Sequence, residues 1–270
     1  MSIRQYRPRG GRRRQIDNKK NLLLYGLLAL SIALQMTYPL VHGDLLRTIT
    51  IATVYCAAVA MITHSFFAFG ARFAITFAIL TFGYALGVEI LGSKSGWPFG
   101  TYHYDSSLGA AIAGVPILVP FAWMMLTYPL LIAARKVGKS WVFLYGGLGL
   151  MAWDLFLDPQ MVSAHRWVWE FHANATPFAP MVPLSNSFGW LLSGMGLMAL
   201  LHWALPKDRR KGGAILTVPN IFLTWTWFSG VIGNLFFFHR PGLALFAGVI
   251  FALILAPYFF AQYLGQPDNY

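Results

Sequence analysis

Apolar residues run through this chain in blocks, and charged residues are largely confined to the gaps between them. Each block is close to the roughly 20 residues that a helix needs to cross the hydrocarbon core of a bilayer. Eight blocks can be marked, at 22–41, 48–70, 72–92, 110–134, 140–158, 187–205, 214–236 and 243–264. The second and third lie close together, joined near Gly70 and Arg72, and the fifth is interrupted by Asp154 and Asp158. The pattern predicts an all-α fold, a polytopic integral membrane protein of about eight transmembrane helices, with seven as the alternative count. No gap is long enough for a soluble domain. The chain therefore reads as a basic, disordered tail over 1–20 and a single membrane domain over 21–265, without an obvious internal repeat.

Composition agrees with the pattern. The chain is 57% hydrophobic and 11% charged, against about 25% charged in an ordinary soluble domain. Its net charge of +11 does not point to nucleic acid, because the basic residues sit in short runs between apolar blocks and form no patch. They serve instead as a topology signal. With the N-terminus in the cytoplasm and the blocks alternating, sixteen lysines and arginines fall inside and four, Arg47, Lys94, Arg166 and Arg240, fall outside. This predicts a plasma-membrane protein with both termini cytoplasmic and with the loops 93–109 and 159–186 outside. The first block is longer than a signal-peptide core and no small-residue cleavage site follows, so it reads as a retained span. The lone cysteine, Cys56, lies within an apolar block and reads as a small buried hydrophobe.

Charge matters more where it interrupts the apolar pattern. Five of the nine carboxylates lie between residues 89 and 170: Glu89, Asp105, Asp154, Asp158 and Glu170. Topology places them at the outer ends of spans or in the outer loops, among Trp97, Tyr102, Tyr104, Trp153, Trp167 and Trp169. An interfacial aromatic belt accounts for part of this crowding, but not for the interleaved acids and histidines. The loops are expected to fold back over a pocket, since non-helical backbone at membrane depth is tolerated where it lines a cavity.

Asp154 and Asp158 are four residues apart, followed by Pro159, and share one face of a helix expected to end there. Two carboxyls at that spacing, partly desolvated, suit a pair in which one keeps its proton, as a general acid must. Glu89 stands among apolar neighbours and needs a partner or a proton. Asp105 is either a further acid of the site or a cap before the next helix. Acids among aromatic faces suit protonation of an apolar substrate and stabilisation of the resulting carbocation. Metal chemistry is not indicated: none of the seven histidines pair at i, i+3 or i, i+4, and His165 and His172, seven apart, are a weak pair. Asp154 and Asp158 also have the DxxxD spacing of a UbiA-like prenyltransferase, but the second, longer aspartate motif is missing.

Several runs resemble the CruF-type carotenoid hydratases. They are Glu89-Ile-Leu-Gly92, Gly96-Trp-Pro-Phe-Gly-Thr-Tyr-His-Tyr104, Val119-Pro-Phe-Ala-Trp123 and Ala152-Trp-Asp-Leu-Phe-Leu-Asp-Pro-Gln-Met-Val162, with Trp167, Trp169, Pro183-Leu-Ser-Asn186 and Gly189-Trp190. The resemblance covers residues 85–190 closely, and the flanking spans only by hydropathy. One stretch departs: Met181-Val-Pro183 stands where the family pattern has Gly-Ile-Pro, in a loop that could set the choice of substrate. The resemblance implies a cofactor-free enzyme of carotenoid biosynthesis. Water would add across the terminal 1,2 double bond of an acyclic or monocyclic carotenoid such as lycopene, gamma-carotene or a C50 relative. Asp154 or Asp158 would be the acid and Glu89 its partner base. Asn186, Tyr102 and Tyr104 would hold the water, and Trp97, Trp123, Trp153, Trp167 and Trp169 would face the substrate. Lipid, the carotenoid and other enzymes of the pathway are the implied partners. A carotenoid end-group cyclase, the prenyltransferase, and a transporter or carotenoid-binding scaffold are the competing readings.

Overall fold

The computed structural model describes residues 18–170, 174–206 and 214–264. The basic tail therefore lies outside the described residues up to residue 17, and Asn18–Lys20 already belong to the first helix. His172 and the basic run 207–211 also lie outside them. Among the described residues, eight long helices form the body of the protein: α1 Asn18–Thr37, α2 Gly43–Phe69, α3 Ala71–Ser95, α4 Leu118–Val137, α5 Val142–Ser163, α6 Leu184–Ala204, α7 Thr217–Ile232 and α8 Pro241–Tyr263. All but α7 are long and apolar enough to cross a membrane. At 16 residues α7 is shorter, but it runs straight into a π-turn at Gly233–Phe237. The outward faces carry Leu22, Ile79, Phe188, Leu245, Leu253 and Phe260, all exposed. Apolar side chains pointing outward along whole helices suit a lipid surrounding.

Charge separates the two ends of the bundle. Lys19, Lys20, Arg72, Arg135, Lys136 and Lys139 lie at the end where α1 starts and α2 hands over to α3. Lys20 sits over the Phe67 ring and Arg135 over Phe73 there. Arg47, Lys94, Arg166 and Arg240 belong to the other end. That end carries the two long connections and six short strands: β1 Tyr102–Tyr104, β2 Ala111–Ile112, β3 Val115–Pro116, β4 Trp167–Trp169, β5 Ala175–Thr176 and β6 Ala179–Pro183.

Most boundaries shift by a few residues, and two shifts change the reading. The fourth span begins at Leu118, not 110, because residues 111–116 close a hairpin between β2 and β3. Its turn residues, Ala113 and Gly114, both have positive φ (52° and 92°), the backbone that a tight two-residue hairpin requires. The fifth span does not stop at Pro159. Proline only removes one helical N–H, and α5 continues to Ser163. It ends in a Schellman turn, with Arg166 N donating to Met161 O at 2.9 Å and His165 N to Val162 O at 3.0 Å. His165 takes the left-handed position, φ 55°. Asp154 and Asp158 thus lie inside the helix rather than at its C-terminus.

Glycines set the approach of α5 to α6. A Cβ on Gly194 would lie 3.0 Å from Gly147 Cα, and one on Gly147 would lie 3.0 Å from Leu191 O. Small residues facing each other let two membrane helices pack backbone to backbone. This contact brings Asn186, in the first turn of α6, against the aspartates of α5.

Candidate active site

The outer connections meet as a small antiparallel pair. β1 pairs with β4 in the register Tyr102↔Trp169, His103↔Val168, Tyr104↔Trp167. Side chains alternate across a strand, so Tyr102, Tyr104, Trp167 and Trp169 turn inward together as an aromatic roof. His103 turns outward and pairs with exposed Glu170. Arg166 ties the same two connections: its carbonyl accepts from Asp105 N at 2.8 Å, and Nη1 donates to Ser107 Oγ at 3.1 Å.

Beneath the roof is a narrow chamber of about 60 Å³, lined by Glu89 of α3, Trp123 of α4, Asp158 of α5, and Asn186 and Trp190 of α6. Glu89 is buried and accepts three hydrogen bonds. Tyr102 Oη (2.5 Å) and Tyr104 Oη (2.8 Å) donate to Oε2, and Trp123 Nε1 donates to Oε1 at 3.0 Å. Every one of these neighbours is a donor, which suits an ionised carboxylate. The two phenols hold their protons firmly. Burial, and then the Glu89 charge, push Tyr102 and Tyr104 well above the ordinary tyrosine value of 10.0, so neither serves as a phenolate base.

The aspartates form a second, different unit. Asn186 Nδ2 donates to Asp154 Oδ2 at 2.8 Å and also to Asp158 Oδ2. One amide thus bridges the two carboxyls, and both are buried. Two buried carboxyls brought together on one amide repel each other when both are ionised, which favours a proton on one of them. Asp158 faces the chamber, whereas Asp154 does not line it, and Asp154 Oδ1 is buried without a partner. The chamber therefore holds one carboxyl ringed by three donors and a second that shares an amide with a neighbouring carboxyl, two acids set apart by their surroundings.

Aromatic rings close the rest. Trp190 stacks on Trp123 with centroids 4.3 Å apart and planes at 14°, Trp153 meets Trp190 edge-on at 5.7 Å, and Tyr104 meets Trp167 edge-on at 5.6 Å. Such faces attract a cation by about 0.5–2 kcal/mol each, more when desolvated.

Glu89, Asp158, Tyr102, Tyr104, Trp123, Trp167, Trp169 and Asn186 thus meet at one chamber, with Asp154 behind Asp158. Three of the expected residues are elsewhere. Asp105 is exposed and accepts from Ser107 N at 2.8 Å as the cap of a short 3-10 turn. The chain leaves β1 at that point, which carries its side chain away from the chamber. Trp97 is 58% exposed, at the end of α3 where the chain turns outward. Trp153 is buried but lines a neighbouring groove instead. Trp190 and Phe99, which stand in the resembling runs but were not assigned to the site, also line the chamber. The spacing could have shown Trp190, which stands four residues after Asn186 and so shares its helix face. Among the described residues, no group of three or more His, Cys, Asp and Glu is gathered as a metal-ligand set.

A family described as "Carotenoid biosynthesis protein" matches residues 47–255, a stretch that contains the whole chamber. The chain belongs to this family. It is also 32% identical over 134 residues to a protein of Haloarcula japonica named bisanhydrobacterioruberin hydratase. That match covers 46% of this chain and 43% of the relative, so the chain spans less than half the length of the curated relative it matches. No solved structure matches.

Proposed function

We propose that this family member is a carotenoid 1,2-hydratase that adds water to the terminal double bond of an acyclic end group. The observation that carries the reading is the pairing of two unlike acids in one aromatic chamber. Asp158, sharing a proton with Asp154, protonates C2 of the chain end, and the electron pair of the double bond forms the new C–H bond. The positive charge left on C1 is tertiary. It lies among the faces of Trp123, Trp167 and Trp190 and near the Glu89 carboxylate, in a dry site where charge interactions are strong. Water attacks C1, and Glu89 takes the proton that water loses. Tyr102, Tyr104 and Trp123 hold Glu89 in place and remain protonated throughout. The product is a tertiary alcohol. The general acid supplies about 10²–10⁴-fold of the rate. None of these steps uses a cofactor, and the chamber is proposed to open toward the outer face of the plasma membrane.

The test is expression in a lycopene-accumulating bacterial host, followed by chromatography and mass spectrometry of the pigments. The expected product is heavier by one water, or by two if both ends react. An isomer of unchanged mass with a shortened chromophore would instead identify a cyclase. Unaltered pigment from a membrane that holds the protein, with lycopene and with monocyclic carotenoids alike, would sink the hydratase reading.

A further inference from the structure

The chamber is too small for the molecule it is proposed to act on. About 60 Å³ admits a branched chain end and one or two waters, but not a polyene. A second cavity, of about 390 Å³, adjoins it between α1, α2, α5 and α7, within the roughly 300–1,000 Å³ of ordinary small-molecule sites. Val54, Met125 and Leu157 line both spaces, so one layer of side chains separates them. Met125, unbranched with three rotatable bonds, is suited to swing aside. Leu157 stands next to Asp158, on the wall where the groove meets the acid.

The groove also has the chemistry of a polyene site. None of its lining residues carries a charge, and Trp153, Phe156, Trp225 and Phe238 present flat apolar faces to it. Its lining reaches the surface at Met36, Phe228 and Phe237, which are 58%, 46% and 46% exposed. All three lie on the outside of the bundle, between α1 and the α7–π-turn segment.

From this continuity we infer that the groove holds the conjugated chain of the carotenoid, which enters sideways from the lipid between α1 and α7 and passes its end group through the Val54–Met125–Leu157 gate into the chamber. The inference rests on the proposed hydration for its reaction, but the groove can be tested apart from it.

Ser229→Trp on α7 and Thr53→Phe on α2 fill the groove from opposite walls. Leu245→Trp adds similar bulk on a lipid-facing position, where Leu245 is 70% exposed. Each variant is made in a carotenoid-producing host, brought to equal membrane level and purified. Both co-purifying carotenoid and the hydrated fraction are then measured. The groove-filling variants are expected to lose at least tenfold in both, while Leu245→Trp matches the parent. A variant that does not accumulate is replaced by Ser229→Cys in a Cys56→Ser background, alkylated after folding with a bulky maleimide. Retention and conversion unaffected by both fillings, or by the alkylation, would overturn the inference. If the parent protein retains pigment without changing its mass, the hydration falls and the groove is judged on retention alone.

Discussion

The two aspartates are four residues apart on one helix, yet only Asp158 lines the chamber, and substitution should expose the difference. In Asp158→Asn the new carboxamide keeps the shape of the carboxyl. Its oxygen can accept from Asn186, as the Asp158 carboxyl does, and its NH₂ is a donor beside Asp154. The net structural cost is that of one exchanged hydrogen bond, about 1 kcal/mol, so the protein should still fold. What disappears is the transferable proton at the chamber wall. Loss of a general acid lowers the rate by about 10²–10⁴, or roughly 3–5.5 kcal/mol of barrier at 1.36 kcal/mol per tenfold. Asp154→Asn leaves Asp158 on the wall and removes only its proton-sharing neighbour, so about a tenfold loss is expected, near 1.4 kcal/mol. Residues acting as a unit are not additive, and the double variant should match Asp158→Asn alone. The assay is the hydrated fraction at early times in a carotenoid-accumulating host, scaled to membrane protein level. A Asp154→Asn variant slower than Asp158→Asn, or Asp158→Asn retaining more than a tenth of the activity, would refute the assignment.

Other consequences can be measured with the same tools. Glu89→Gln should lose at least 100-fold in hydration. Glu89→Leu should in addition lower the Tm in detergent, since the Tyr102, Tyr104 and Trp123 donors are left unpaired at about 1–3 kcal/mol each. Gly147→Ala places a methyl 2.9 Å from Met195 N and 3.0 Å from Leu191 O; the strain, about 1–3 kcal/mol, should lower both Tm and conversion by pushing Asn186 away from the aspartates. Tyr102 and Tyr104 titrate above their ordinary value of 10.0 when folded, so the stability they contribute is fully present below about pH 10 and is lost as the pH rises beyond it. The Tm should fall over that alkaline range, and less steeply in Tyr104→Phe. Asp105→Ala should keep near-parental hydration, because Asp105 only caps an exposed turn.

The hydropathy blocks gave the helices with little error because a membrane span must satisfy its own backbone and show an apolar face to lipid. They failed where sequence reports composition but not conformation. Residues 110–117 are apolar enough to extend a span, and only the Ala113–Gly114 turn reveals a hairpin. Pro159 looks like a stop, yet α5 tolerates it and ends at the His165 turn, a signal carried by a non-glycine residue. The acids were legible as a group because buried charge is costly and stands out in an apolar sequence. Their separate surroundings were not, since these depend on partners far away in the chain. Glu89 is held by Tyr102, Tyr104 and Trp123, and Asp158 by Asn186. Asp105 and Trp97 show the converse: the right residue types in the right loop, turned outward by strand alternation and by the end of α3.

The same division of partners bears on whether water or a neighbouring double bond captures the cation. A cyclase has to fold the chain back on itself and shield C1 from any nucleophile until the ring closes. The chamber here is too narrow for a folded chain at about 60 Å³, and its wall is not uniformly apolar. Glu89, Asp158 and Asn186 line it together, so a water near C1 finds both an acceptor and a donor. In the proposed hydration the aromatic rings would stabilise the cation without reacting with it, and the Glu89 carboxyl, held by three donors, would take a proton from water. Geometry that delivers a proton on one side and accepts one on the other fits net addition of water, in which one proton enters at C2 and another leaves the attacking oxygen. It fits cyclisation less well: the proton there must be lost from carbon, and Val54, Met125 and Leu157, which stand along the apolar stem of the chain, offer it no acceptor.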